Sequence, residues 1–71
     1  MRVRIGDRIE LCKQIRHIYQ DEYLYLVTMS GETYNVNCKT SENAVQLYAQ
    51  VFVDGYVDLT LYTYYKGLNE G

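Results

Sequence analysis

The sequence predicts an α+β fold: one small domain in which an antiparallel β-sheet carries one helix on one face, in the order β-β-β-α-β. Three observations predict it. Residues 23–29 are rich in strand formers, and apolar and polar residues alternate through 33–38 and again through 56–65, the period of half-buried strands. The stretch 41–53 changes to helical spacing. Gly6, Gly31 and Gly55 fall between these runs, where turns and a helix stop belong.

Met1 to Ile5 alternates Arg2 and Arg4 with Val3 and Ile5, a short strand signal, and Gly6-Asp7 marks a turn. Arg8 to Gln20 carries two patterns. Ile9, Leu11, Ile15 and Tyr19 fit strand alternation, with Lys13 and His17 as exceptions, while Leu11, Ile15 and Ile18 fit helical spacing. The β-branched content favours a strand, bulged near Arg16 to Ile18, so that residues 1–20 form a split first strand. Tyr23 to Met29 and Thr33 to Cys38 then read as a hairpin across Ser30-Gly31-Glu32.

Ser41, or Thr40 before it, is a good N-cap, and Glu42 sits where the helix dipole favours a negative charge. Ala44, Val45, Leu47, Tyr48, Val51 and Phe52 form the apolar face, and Gly55 supplies the stop. Tyr56 to Tyr65 is the final strand. Val57, Leu59 and Leu61 point to the helix, and Tyr56, Asp58, Thr60, Tyr62 and Tyr64 point away. The domain is expected to span 1–66, with a loose tail at 67–71.

The chain has nine tyrosines, one phenylalanine, no tryptophan and no proline. Tyrosine joins a large apolar ring to a polar tip, which suits surfaces wet when free and buried when bound. With one helix to cover one sheet face, Tyr23, Tyr25, Tyr62 and Tyr64 are expected on the other. If strands 23–29 and 56–65 are neighbours, these rings make cross-strand pairs. Tyr23, Tyr25, Tyr56, Asp58, Tyr62 and Tyr64 are therefore the candidate partner-binding residues. Asp21, Glu22 and Asp54 join Asp58 in adding acidic specificity.

The formal net charge is -2. Residues 1–17 hold Arg2, Arg4, Arg8, Lys13 and Arg16 against Asp7 and Glu10. The remainder holds Lys39 and Lys66 against seven carboxylates. The basic segment can contact phosphates, but no helix-turn-helix, zinc-finger or RNA-recognition signature accompanies it. Cys12, His17 and Cys38 are the only soft ligands, and their spacing matches no zinc pattern. No glycine-rich phosphate loop and no Ser-His-Asp set is visible, and a chain this short buries only ~60% of its unfolded surface, too little for a deep active site. The expectation is a non-catalytic chain with no metal and no cofactor. No apolar run reaches 18 residues and no signal peptide is evident, so the expected compartment is the cytoplasm, where the two thiols stay reduced.

In size and composition alone, the chain resembles the small, acidic, proline-poor proteins that bacteriophages and mobile elements encode to block host defences. That likeness carries no motif and assigns no residue. It implies a protein-binding inhibitor or adaptor, for which the tyrosine face read from the residues is the expected surface. The alternatives are a structural homodimer closed by the same face, and weak nucleic-acid binding through the basic N-terminal segment.

Overall fold

Every buried side chain of the sheet lies on one of its two faces. The computed structural model describes residues 1–67, in the order β1 (Arg2–Ile5), β2 (Arg8–His17), β3 (Tyr23–Thr28), β4 (Thr33–Asn37), α1 (Ser41–Asp54), β5 (Tyr56–Asp58) and β6 (Thr63–Lys66). The fold is α+β, as expected, with the first and the last expected strands each divided in two. One six-stranded sheet runs β5-β1-β2-β3-β4-β6. Val3, Ile5, Cys12, Ile15, Leu24, Leu26, Tyr34, Val36 and Val57 turn inward to one core, joined by Ala44 and Val51 of α1 and by Leu59.

The sheet is mixed rather than purely antiparallel. β1 pairs antiparallel with β2 and parallel with β5. The helix carries the chain back before β5 begins, and a parallel neighbour requires such a crossover. Thr40 caps α1, its hydroxyl accepting from the Asn43 N–H at 3.1 Å. Gly55 ends it at φ +68°, its N–H donating to the Val51 carbonyl at 2.9 Å. Ala44, Leu47, Tyr48 and Val51 face the core, whereas Val45 and Phe52, assigned to that face from the sequence, are exposed.

β2 is a strand through His17, and its bulge lies between Cys12 and Gln14 rather than at Arg16 to Ile18. The extra residue reverses the alternation. Glu10 and Cys12 face inward before it, and Ile15 and His17 after it, so Ile9 and Leu11 point outward.

The expected strand 56–65 is the main correction. Asp58 Oδ1 accepts from the Thr60 backbone N–H and hydroxyl, and the Tyr62 N–H donates to the Leu59 carbonyl at 3.1 Å. These bonds fold residues 59–62 into a turn. β5 therefore sits at one edge of the sheet and β6 at the other, and Leu61, expected in the core, is 85% exposed on the turn. β3 and β6 are not neighbours, because β4 separates them.

That link also curls the sheet. The edges of a flat six-stranded sheet stand about 24 Å apart, at ~4.8 Å per strand. Five Cα steps from Asp58 to Thr63 reach at most ~18 Å fully extended, and a hydrogen-bonded turn holds its first and last Cα within about 7 Å. The sheet must bend its edges toward each other. The Arg8 Nη2 accordingly donates to the Tyr34 hydroxyl at 2.8 Å, from the start of β2 to β4, and the ring of Tyr64 lies against Gly6. Gly67 continues the ladder, its N–H donating to the Thr33 carbonyl at 2.8 Å. The rest of the expected tail lies outside the described residues.

Leu59 is fully buried and Leu61 is not. Leu59→Ala should cost about 2–5 kcal/mol in urea unfolding, enough to unfold much of a domain this small. Leu61→Ala should stay within about 0.5 kcal/mol of the parent.

Candidate binding face

Register decides which side chains share the outer face. Tyr23 pairs with Asn37, Tyr25 with Asn35 and Val27 with Thr33, all facing outward. Gln14 and Arg16 of β2 join them opposite Val27 and Tyr25. On the far side of β4, Asn35 pairs with Tyr65 and Asn37 with Thr63. At the other end, Tyr56 pairs with Arg2 and Asp58 with Arg4, beside Leu11 and Ile9. The face thus gathers Tyr23, Tyr25, Tyr56, Asp58 and Tyr65.

Two candidates from the sequence lie elsewhere. Tyr64 is directly opposite Val36 and so faces inward, where its ring meets Tyr34 edge-on with centroids 5.8 Å apart. Tyr62 belongs to the turn and packs partly buried against the core, with the Lys39 ammonium 5.8 Å from its ring centre. Tyr65 is exposed and takes the place expected for Tyr64. Alternation through 56–65 predicts one strand, and the turn at 59–62 inverts the faces beyond it. The sequence carried a signal for this turn: Asp58-Leu59-Thr60 is an Asx-turn pattern.

The acidic residues are not grouped among the tyrosines. Asp58 is the one carboxylate at a strand position of the outer face. Asp21 and Glu22 lie in the loop before β3, and Asp54 ends α1. Asp21 is committed internally: Oδ2 accepts from the Tyr25 hydroxyl at 2.6 Å and Oδ1 from the Tyr23 N–H at 3.1 Å. The Tyr25 hydrogen bond, with help from backbone N–H groups, holds the Asp21 carboxyl below its ordinary 3.8. The same bond to Asp21, with burial, pushes the Tyr25 phenol up to about 12.

A groove of about 540 Å³ runs over this face, with Gln14, Arg16, Ile18, Tyr25, Val27, Thr33 and Asn35 along its walls. A second hollow, about 410 Å³, lies between the end of β2 and the start of α1. Its imidazole, His17, is already engaged, Nε2 donating to the Asp21 carbonyl at 2.7 Å.

On the inner side, the Tyr34 hydroxyl donates to Glu32 at 3.0 Å while accepting from Arg8, and the Lys66 ammonium lies 3.3 Å from the same Glu32 oxygen. These groups join β2, β4 and β6. The Tyr34 hydrogen bond, then Lys66, lowers the Glu32 pKa.

Cys12 and Cys38 are free and buried, and burial pushes each thiol up to about 11. Among the described residues no three His, Cys, Asp or Glu side chains gather as a metal site, and no helix is long and apolar enough to cross a membrane.

No known protein family, curated protein or solved structure matches this chain.

Asp21, Glu32 and Asp58 all have lowered pKa values, Asp58 chiefly through the Thr60 hydroxyl. Each group contributes stability above its unfolded pKa and loses it as pH falls through the lower folded value. Stability should therefore decline as pH drops below about 4. Tyr25→Phe should move the Asp21 midpoint back up toward 3.8 in an NMR pH titration and weaken that decline. Both thiols should resist a colourimetric thiol reagent at pH 8 in native protein and react fully in denaturant.

Proposed function

We propose that this chain is a small non-catalytic binding module that takes a protein partner on the outer face of its sheet. The observation that carries this reading is the composition of that face. Its paired strand positions hold Tyr23, Tyr25, Tyr56 and Tyr65, the arginines Arg2, Arg4 and Arg16, and the apolar Ile9, Leu11 and Val27, among amides and threonines. No lysine or glutamate stands at any of them; Asp58 is the one carboxylate there, and Lys13 sits unpaired at the β2 bulge. Protein interfaces are enriched in tyrosine and arginine and depleted in lysine and glutamate, whereas a merely solvated sheet face has no reason to avoid the latter. A module of this size acts by occupying a partner's surface or by bridging two partners, which makes an inhibitor or an adaptor the reading that follows.

Arg16, Tyr25, Asn35 and Tyr65 form one row across four adjacent strands, β2, β3, β4 and β6. An Arg16→Ala, Tyr65→Ala double variant should keep the parent's circular dichroism and thermal midpoint. It should bind a partner captured by crosslinking from nuclease-treated source-cell lysate about thirtyfold more weakly, if truncating the anchors costs ~2 kcal/mol. A Phe52→Ala, Val53→Ala variant on the exposed side of α1 should bind like the parent. Unchanged affinity in the well-folded face variant would sink the proposal. A concentration-dependent dimer in light scattering, lost in the same variant, would replace it with self-association.

A further inference from the structure

The outer face also has a charge opposite to that of the chain, and this bears on what it binds. We infer that the partner surface is acidic: a protein segment that presents carboxylates around aliphatic side chains. The inference rests on the binding-module reading and names the chemistry of its partner.

Seven cations stand against nine carboxylates in the chain, yet folding sorts them unequally. Arg2, Arg4 and Arg16 occupy outer strand positions, and Lys13 is exposed at the bulge between them. Among the described carboxylates only Asp58 shares this face at a strand position. Its Oδ1 accepts two hydrogen bonds from Thr60, which hold its carboxyl low with help from the charge of Arg4 directly across from it. Arg8 is tied to Glu10 at 3.0 Å and Lys66 to Glu32 at 3.3 Å. Among the described residues, Arg2, Arg4, Lys13 and Arg16 form no ion pair within 4.0 Å. Arg2 lies over the Tyr56 ring, 5.7 Å from its centre.

The same cations border an apolar strip. Ile9 is 51% exposed, Leu11 58% and Met29 63%. Arg4 stands directly across from Ile9 and Arg2 from Leu11, and the Met29 N–H donates to the Leu11 carbonyl at 2.8 Å. A ligand must therefore meet aliphatic side chains and guanidinium groups within one cross-strand spacing. Nucleic acid satisfies the second requirement but not the first. Bases stack on aromatic and guanidinium planes, and phosphates gain nothing over Ile9 and Leu11. An acidic protein segment with leucine-like side chains satisfies both. Electrostatic complementarity of this kind acts mainly on encounter rate and partner choice, while the buried aliphatic contact holds the complex.

The test is a methyl and amide NMR titration of the full chain with three probes. They are a synthetic amphipathic helical peptide of leucine and glutamate, the same peptide with lysine for glutamate, and oligo(dT). The expected result is that the glutamate peptide shifts the Ile9 and Leu11 methyls and weakens steeply with added salt. Its affinity should fall at least tenfold in an Arg2→Ala, Arg4→Ala variant of unchanged fold, and the lysine peptide should leave the spectrum unmoved. Oligo(dT) shifting the face while the glutamate peptide does not would overturn the inference in favour of nucleic acid. Silence from all three probes, or a glutamate-peptide response equal in the double variant, would also overturn it. A partner still lost through Arg16 and Tyr65 would then leave the module reading standing. Glutamate-peptide shifts confined to α1 would remove both.

Discussion

The four residues between β5 and β6 set the shape of the whole molecule. They join the two edges of a six-stranded sheet through a turn too short to cross a flat one, so the sheet has to curl. Curling gives a 71-residue chain a concave side deep enough to bury side chains from every strand but β6, with α1 and Leu59 closing what remains. It also brings Tyr64, at the β6 edge, against Gly6 in the β1–β2 turn, a contact a flat sheet forbids. The Asx turn at Asp58 that starts the link is thus a local feature with a global effect.

The curl and the bulge in β2 together produce the outer face. Ile9, Leu11 and Ile15 have one parity, so without the extra residue between Cys12 and Gln14 they would share a face and Cys12 would lie on the other. With it, Cys12 and Ile15 both reach the core, at the cost of leaving Ile9 and Leu11 in solvent. Exposed aliphatic residues on a marginal domain are a liability unless something covers them. Ile9 and Leu11 stand across from Arg4 and Arg2, on the sheet face that carries the proposed binding role.

Much of the architecture was legible because it is local. The hairpin 23–38, the Gly55 stop and a helix start at Thr40, one residue before Ser41, follow from period, turn chemistry and capping within a few residues. The candidate face was legible only in part. Tyr23 and Tyr25 were placed outward because β3 alternates without interruption. Tyr62 and Tyr64 were misplaced because a short turn, invisible to a period-two count, inverts the faces beyond it. Tyr65, Ile9 and Leu11 were missed for the same reason: one inserted or turned residue exchanges inside for outside.

By itself, then, the sequence determined the fold class, the helix and its ends, the central hairpin and the abundance of tyrosine, since each depends on near neighbours along the chain. Tertiary structure decided which strands are edges, which tyrosines share a face, and where the charges collect. Arg2 and Arg16 are fourteen positions apart in sequence yet share the outer face, while Tyr64 and Tyr65 are adjacent yet point to opposite sides. In a sheet the face of a residue depends on parity, and its neighbours depend on strand order. Parity can be lost at one bulge or one turn, and strand order is fixed by the pairing of distant segments.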